Sequence, residues 1–343
     1  MKMLVKALTG AALASVAIVP GAVRAAAPGY HLLRTVSLPG DGGWDYLTLD
    51  SKSQRLYIAR STHVSVVDIG SGKLIGDIPG VSGVHGVALD TKRGHGFTSN
   101  GRSNTVTMFD IATLKKLGDV AVGEGPDAIL FDSATGHVFT FNGRAQSATV
   151  IDAGSDKVIG SIPLPGRPEF PVSDGRGHLY DNIEDKNEIV SIDAKTLKVD
   201  HEWPIAPGEA ASGLAIDRKN GRLFAVADNQ KLIVVNTGTG SVVATPPIGN
   251  GPDACAYDPK AHLVFSPNGE DGTMTVIRQE TPDRYVVAET VATQAGARTF
   301  ALDEKTHHIF TVAAKTVPPA PGAQPTRRPN YVPGSFVLLE YGP

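Results

Sequence analysis

Seven residues stand five positions ahead of a recurring aspartate. They are Asp45, His85, Asp127, Glu169, Ser212, Asp253 and Arg298, ahead of Asp50, Asp90, Asp132, Asp174, Asp217, Asp258 and Asp303. Six of the seven are ionisable, in stretches flanked by apolar residues. If they share one space, Asp45, Asp127, Glu169 and Asp253 are candidate ligands for a hard divalent cation such as Ca²⁺, which takes carboxylate oxygens. His85 is then a candidate general base, and Ser212 and Arg298 are candidate ligand-binding groups. Lactone or ester hydrolysis suits that set. A non-catalytic site for a small ligand suits it equally. The competing reading is structural: the side chains turn into the protein and accept hydrogen bonds from neighbouring backbone, since ion networks built for stability have the same composition.

The elements that would position these residues recur along the chain. Gly125 to Asp132, Val138 to Asn142, Ala148 to Asp152 and Lys157 to Pro163 are four β-type runs separated by polar turns. The marker aspartates are spaced by 40, 42, 42, 43, 41 and 45 residues. A repeat of this period with four strands per unit predicts propeller blades. The fold class is therefore all-β: a seven-bladed β-propeller with four-stranded blades. The segment from His31 to Gly40 matches a fourth strand, whereas the last unit stops after its third strand, near Tyr341. The N-terminal strand is thus expected to complete the last blade and remove two free sheet edges. The marker aspartates themselves sit where hairpins turn, and a short Asp side chain bonds backbone amides there.

Residues 1–25 read as a signal peptide: Lys2 and Lys6 precede an apolar run from Ala7 to Val19, then a small-residue cut at Ala25. A single domain over residues 26–343 and a periplasmic or secreted location follow, with no membrane span in the mature chain. Loss of Lys2, Lys6 and Arg24 takes the formal charge from −3 to −6, which argues against non-specific nucleic-acid binding. The single cysteine, Cys255, falls in an apolar core column and permits no internal disulfide. A monomer is expected.

Phe97-Thr98-Ser99-Asn100 and Phe139-Thr140-Phe141-Asn142 are degenerate forms of a tetrapeptide, and with the repeat they make the chain resemble the bacterial YncE-like, YVTN-repeat β-propellers over residues 30 to 343. The resemblance implies the propeller fold and an exported setting. It admits binding proteins, single-strand nucleic-acid binders and relatives of haem-handling or lactone-cleaving enzymes; a haem-related role would use His85 as axial ligand.

Three further features bear on a ligand. His95, His137, His178, His262 and His308 recur at the start of second strands, one per unit, so they are read as hairpin residues and not as a metal set. Asn100-Gly101-Arg102 and Asn142-Gly143-Arg144 fill the loop between second and third strands. Asn-Gly is turn chemistry, while Arg102 and Arg144 are candidates to reach an anionic ligand. In the last unit that loop is a Pro-rich insertion from Val317 to Gly334, with Arg327, Arg328 and Tyr331 as candidate ligand-binding residues. It is expected at the rim of the channel mouth as a semi-rigid lid.

Two functions from different classes follow. One is a binding or interaction protein whose channel-mouth face takes a small molecule, a metal or a protein partner. The other is a metal-assisted hydrolase at the same mouth. The chain has no nucleophile elbow, no haem-attachment Cys-X-X-Cys-His and no phosphate-cradling glycine loop after a strand.

Overall fold

Alternating apolar runs of five to seven residues, cut by Asp-Ser/Thr-Gly turns, fold locally into hairpins because the turn acids satisfy the turn amides. Asp132 accepts from the Thr135 amide at 3.0 Å and Asp258 from those of Lys260 and Ala261 at 2.9 and 3.0 Å. The second acids do the same: Asp68 accepts from Ser71 N and Asp152 from Ser155 N, each at 2.7 Å. In the fourth unit the strand ends one residue early, at Ser173, and Asp174 caps the turn from outside it, accepting from the Arg176 and His178 amides.

The computed structural model describes residues 26–40, 43–317 and 330–343. The proposed leader, residues 1–25, lies outside them. Among the described residues the strands form five four-stranded antiparallel sheets and one seven-stranded sheet. In the larger sheet one strand, Leu74–Asp90, serves twice. Its first half pairs with Ser61–Asp68, and its second half opens the next unit by pairing with His95–Asn100. The joint passes through Gly80 and Gly83, both at positive φ. A Cβ at Gly83 would lie 2.6 Å from the Arg102 side chain and 2.9 Å from its amide nitrogen, so only glycine fits.

The N-terminal strand His31–Ser37 pairs antiparallel with Val337–Gly342, at the outer edge of the sheet that ends with Phe300–Asp303. The first and last segments are therefore stitched into one sheet. Arg34 tightens the seam by pairing with Glu340 at 2.7 Å, and His308 contacts the other oxygen of Glu340 at 2.9 Å.

Second and third strands are buried almost throughout, as in Arg55–Ala59 and Ser147–Asp152, while fourth strands such as Lys157–Pro163 are mostly exposed. This gradient arises because each sheet packs its faces on two neighbours. One core cluster joins Phe139, Phe141 and Val150 to Leu179, Val190 and Ile192; another joins Phe224 and Val234 to Tyr257, Val264 and Ile277. Burial of each such side chain contributes about 1.5–3 kcal/mol, so the units hold one another up. Cys255 packs against the second of these clusters, and burial pushes its thiol pKa up. No helix among the described residues is long and apolar enough to cross a membrane.

Candidate functional site

The inner strands do not begin as regular ladders. In four consecutive units the register slips where the candidate column stands. Pro126 pairs with Asn142 and Ile129 with Thr140, so Asp127 and Ala128 oppose the single residue Phe141. Glu169 and Phe170 likewise oppose Asn182, and Ser212 and Gly213 oppose Val226. His85 is the extra residue between Val84 and Gly86. Such bulges bend the strand and re-aim the side chain. They turn the column away from the blade faces and toward the axis. In the other three units Asp45, Asp253 and Arg298 lie ahead of the inner strands Leu47–Asp50, Ala256–Asp258 and Phe300–Asp303.

The column converges. His85 Nδ1 is 2.6 Å from Asp45 Oδ2 and 3.1 Å from Asp127 Oδ1. These three are the one His/Cys/Asp/Glu group among the described residues whose ligand atoms lie within 4.8 Å of each other. Gly101 lets the imidazole in: a Cβ there would be 2.9 Å from His85 Nε2. On the Trp44 side of Asp45, Arg298 Nε donates to Asp253 Oδ2 at 2.8 Å and its Nη2 to the Trp44 carbonyl at 3.0 Å. The guanidinium also lies 5.5 Å from the Trp44 ring centroid. Arg167 pairs with Glu184 and reaches to within 3.8 Å of Glu169.

Asp45, His85, Glu169, Ser212, Asp253 and Arg298 all line one cavity of about 710 Å³; Asp127 contacts His85 but is not in the cavity wall. Tyr46 and Phe170 stack at 4.4 Å, 28° between planes, although they come from the first and fourth units. Tyr46 Oη also reaches the carbonyl and carboxylate of Asp253 at 3.2 and 3.3 Å. This pair spans the axis between blades.

Burial dominates the titration of the acids here. It raises the pKa of Asp127, with His85 and Arg167 opposing and Asp45 and Glu184 assisting. Glu169 is pushed up to about 10, first by burial and then by a hydrogen bond shared with Glu184. Asp253 rises only to about 6, because Arg298 offsets its burial. At neutral pH the mouth therefore holds both a neutral carboxyl and ionised ones.

The remaining candidates divide. Tyr331 lines the cavity and packs on Trp44, ring centroids 5.1 Å apart. It is held there by a bridge to Thr316 at the base of the Pro-rich insertion. Arg327 and Arg328, with the rest of residues 318–329, lie outside the described residues. Arg102 and Arg144 are not in the cavity wall. Arg144 donates to the Gly101 carbonyl at 2.9 Å and to Asn104 at 3.2 Å, tying its loop to the preceding unit. Of the histidine series, His262 departs from the strand position: it sits in the turn at φ 55°, and Leu263 opens the strand. Sequence reasoning missed Trp44, Tyr46, Arg167, Glu184, Asp228 and Glu270. Trp44 and Tyr46 flank Asp45, which was a usable signal. Glu184, Asp228 and Glu270 stand in the same loop between second and third strands as the Asn-Gly-Arg tripeptides, of which Asn268-Gly269-Glu270 is a variant, and that too was a usable signal. Arg167, two residues before Glu169, carried none.

No protein-family model and no curated protein matches the chain. Solved structures do. A chain of Kuenenia stuttgartiensis hydrazine synthase is similar at 17% identity, covering 80% of this chain and 94% of that one, TM-score 0.69. A chain of the mitotic checkpoint complex is similar at 14%, covering 90% and 95%, TM-score 0.72. U3-55K is similar at 10%, covering 91% and 99%, TM-score 0.74. At such identities the likeness is one of fold, and the fold is a β-propeller.

Proposed function

We propose that this chain is an exported, monomeric, seven-bladed propeller of the YncE-like, YVTN-repeat kind, and that it binds a small cationic or polar ligand in the mouth cavity. Seven blades follow if the seven-stranded sheet counts as two units sharing Leu74–Asp90. The observation that carries the binding reading is the convergence of six column residues on one cavity of about 710 Å³. Asp45, Glu169, Glu184, Asp228, Asp253 and Glu270 line it against His85 and Arg298. Carboxylates outnumber cationic groups, so an added positive charge lowers the repulsion among them. The face around the mouth is also where a protein partner would dock, with Tyr331 in the cavity wall.

The test is thermal melting of the purified protein against organic ammonium compounds, divalent cations, neutral sugars and small anions. The reading expects stabilisation by cationic or polar compounds, through linkage to the folded state. It expects Asp253→Asn to weaken that shift at least tenfold in ligand concentration. Stabilisation by anions alone would sink it.

A metal-assisted hydrolase remains as a second reading, because one specific observation favours it: the Asp45–His85–Asp127 group combines metal-ligand spacing with a possible base. Its test is turnover of lactone and ester substrates with and without added divalent metal. Export is tested by the N-terminus of the secreted protein, expected at Ala26.

A further inference from the structure

The four candidate carboxylates of the mouth do not meet as one group. Asp253 is held by two donors, Arg298 on one oxygen and Tyr46 on the other. Glu169 lies 3.8 Å from Arg167, which also pairs with Glu184. Asp45 and Asp127 have no guanidinium of their own. Among the described residues, His85 is the one group that hydrogen-bonds or ion-pairs with either carboxylate, its Nδ1 2.6 Å from Asp45 Oδ2 and 3.1 Å from Asp127 Oδ1.

The geometry of this trio suits an ion. One ligand atom from each residue lies within 4.8 Å of the other two. Ligands about 2.1 Å from a metal stand about 3.0–3.4 Å from one another in octahedral or tetrahedral arrangements. The 3.1 Å contact already has that spacing, and the 2.6 Å contact has to open only slightly. All three side chains are partly exposed, and Asp45 and His85 face the cavity, so an ion has a way in. The imidazole is seated from the other side by Gly101. That glycine is not at positive φ, so the turn itself does not require it. Space does: a Cβ there would stand 2.9 Å from His85 Nε2 and 3.1 Å from the Pro126 carbonyl oxygen. The three ligands come from three consecutive units, Asp45 ahead of Leu47–Asp50, His85 in Leu74–Asp90 and Asp127 in Pro126–Asp132.

We propose that Asp45, His85 through Nδ1, and Asp127 bind one divalent ion of borderline softness, Zn²⁺ ahead of Mn²⁺, and that Ca²⁺ is a poor fit. A hard ion such as Ca²⁺ takes about six to eight oxygens, and two of the four carboxylates are engaged elsewhere. The imidazole suits Zn²⁺, and affinity at a nitrogen and oxygen site rises from Mn²⁺ to Zn²⁺. Three protein ligands leave a coordination position open toward the cavity. The site takes its residues from the hydrolase reading and deepens it by naming the ion, but it does not depend on turnover.

The experiment uses the purified protein after chelator treatment, at one fixed pH, titrated calorimetrically with ZnCl₂, MnCl₂ and CaCl₂, and separately with choline chloride. The variants are Asp127→Asn and His85→Gln, each removing one ligand. One Zn²⁺ per chain is expected, bound at least tenfold more tightly than Ca²⁺, with at least a tenfold loss of Zn²⁺ affinity in both variants. Should His85→Gln fail to fold, Asp127→Asn decides. Unchanged Zn²⁺ affinity in the variants puts the ion on other residues and overturns the site. Ca²⁺ bound as tightly as Zn²⁺ overturns the ion class. Zn²⁺ bound without lactone or ester turnover sustains the site and removes the hydrolase. Absence of Zn²⁺ binding overturns the site, and choline binding in that case leaves the cationic-ligand reading standing.

Discussion

The molecule carries two sets of acids placed by the same repeat, one in the turns and one at the mouth, and they behave in opposite ways. Asp68, Asp110, Asp152 and Asp193 close the third strands in successive units. Hydrogen bonds from a Ser or Thr three residues on hold each of them below the usual carboxylate range: the hydroxyls of Ser71, Thr113 and Ser155 first for Asp68, Asp110 and Asp152, and the Thr196 amide first for Asp193. At the mouth, Asp127, Glu169 and Asp253 are shifted upward, and burial leads each time. The turn acids find donors within their own hairpin. The mouth acids are brought together by the closing of the ring, with other acids as neighbours. Carboxylates that have donors of their own stabilise the fold; carboxylates crowded together by it are available to something else.

The sharpest way to break this contrast is to remove the cation that pairs with Asp253 at the mouth. Arg298→Ala leaves Asp253 partly buried beside Asp45 without its guanidinium partner. A loss of about 3 kcal/mol is expected, read by urea denaturation. The double variant with Asp253→Ala should recover most of that loss. Independent, additive costs would mean that the mouth acids are not coupled through Arg298.

A second test uses pH. Glu169 has its folded pKa raised from 4.5 to about 10, and Asp253 from 3.8 to about 6. The folded state therefore holds protons that the unfolded chain has released. Their stabilising contribution is full below about pH 4 and is lost as pH rises, by pH 6 for Asp253 and toward pH 10 for Glu169. Between pH 7 and 10 stability should fall by up to about 1 kcal/mol per pH unit, and Glu169→Gln should flatten that limb. An unchanged slope in the variant would assign the alkaline loss to other groups.

The smallest effect belongs to the turn acids. Depressed pKa values give stability that is present above about pH 3.8 and lost as pH falls below it. Asp152→Asn and Asp193→Asn should each lower the melting temperature at pH 7 by about 1–2 °C and shift the acid limb of the stability curve, leaving the alkaline limb untouched. A variant that moved the alkaline limb would show that the two sets are electrically linked.

Much of this was legible in the residues. The period of the marker aspartates gave the units, and the missing fourth strand at the C-terminus, with a spare one at His31 to Gly40, gave the pairing of His31–Ser37 with Val337–Gly342. The composition of the column five residues ahead of each marker singled out the residues that meet at the mouth. Other features were not legible. Nothing in the spacing shows that His85, Asp127, Glu169 and Ser212 stand in bulges, because a bulge is defined by the partner strand. Arg144 offers the same side chain whether it reaches a ligand or the Gly101 carbonyl. Asp181 looks like an ordinary polar residue in a strand until the neighbouring blades bury it.

The sequence by itself determined the strands, the turns and the low pKa values of the turn acids, because those depend on contacts within about five residues. Only the tertiary structure decided that Tyr46 stacks on Phe170, that Glu184 and Arg167 join Glu169, that Asp181 is wholly buried, and that Glu169 holds its proton at neutral pH. Those outcomes depend on burial and on groups contributed by other strands, loops and blades, and such proximity exists only once the strands have paired and the sheets have packed.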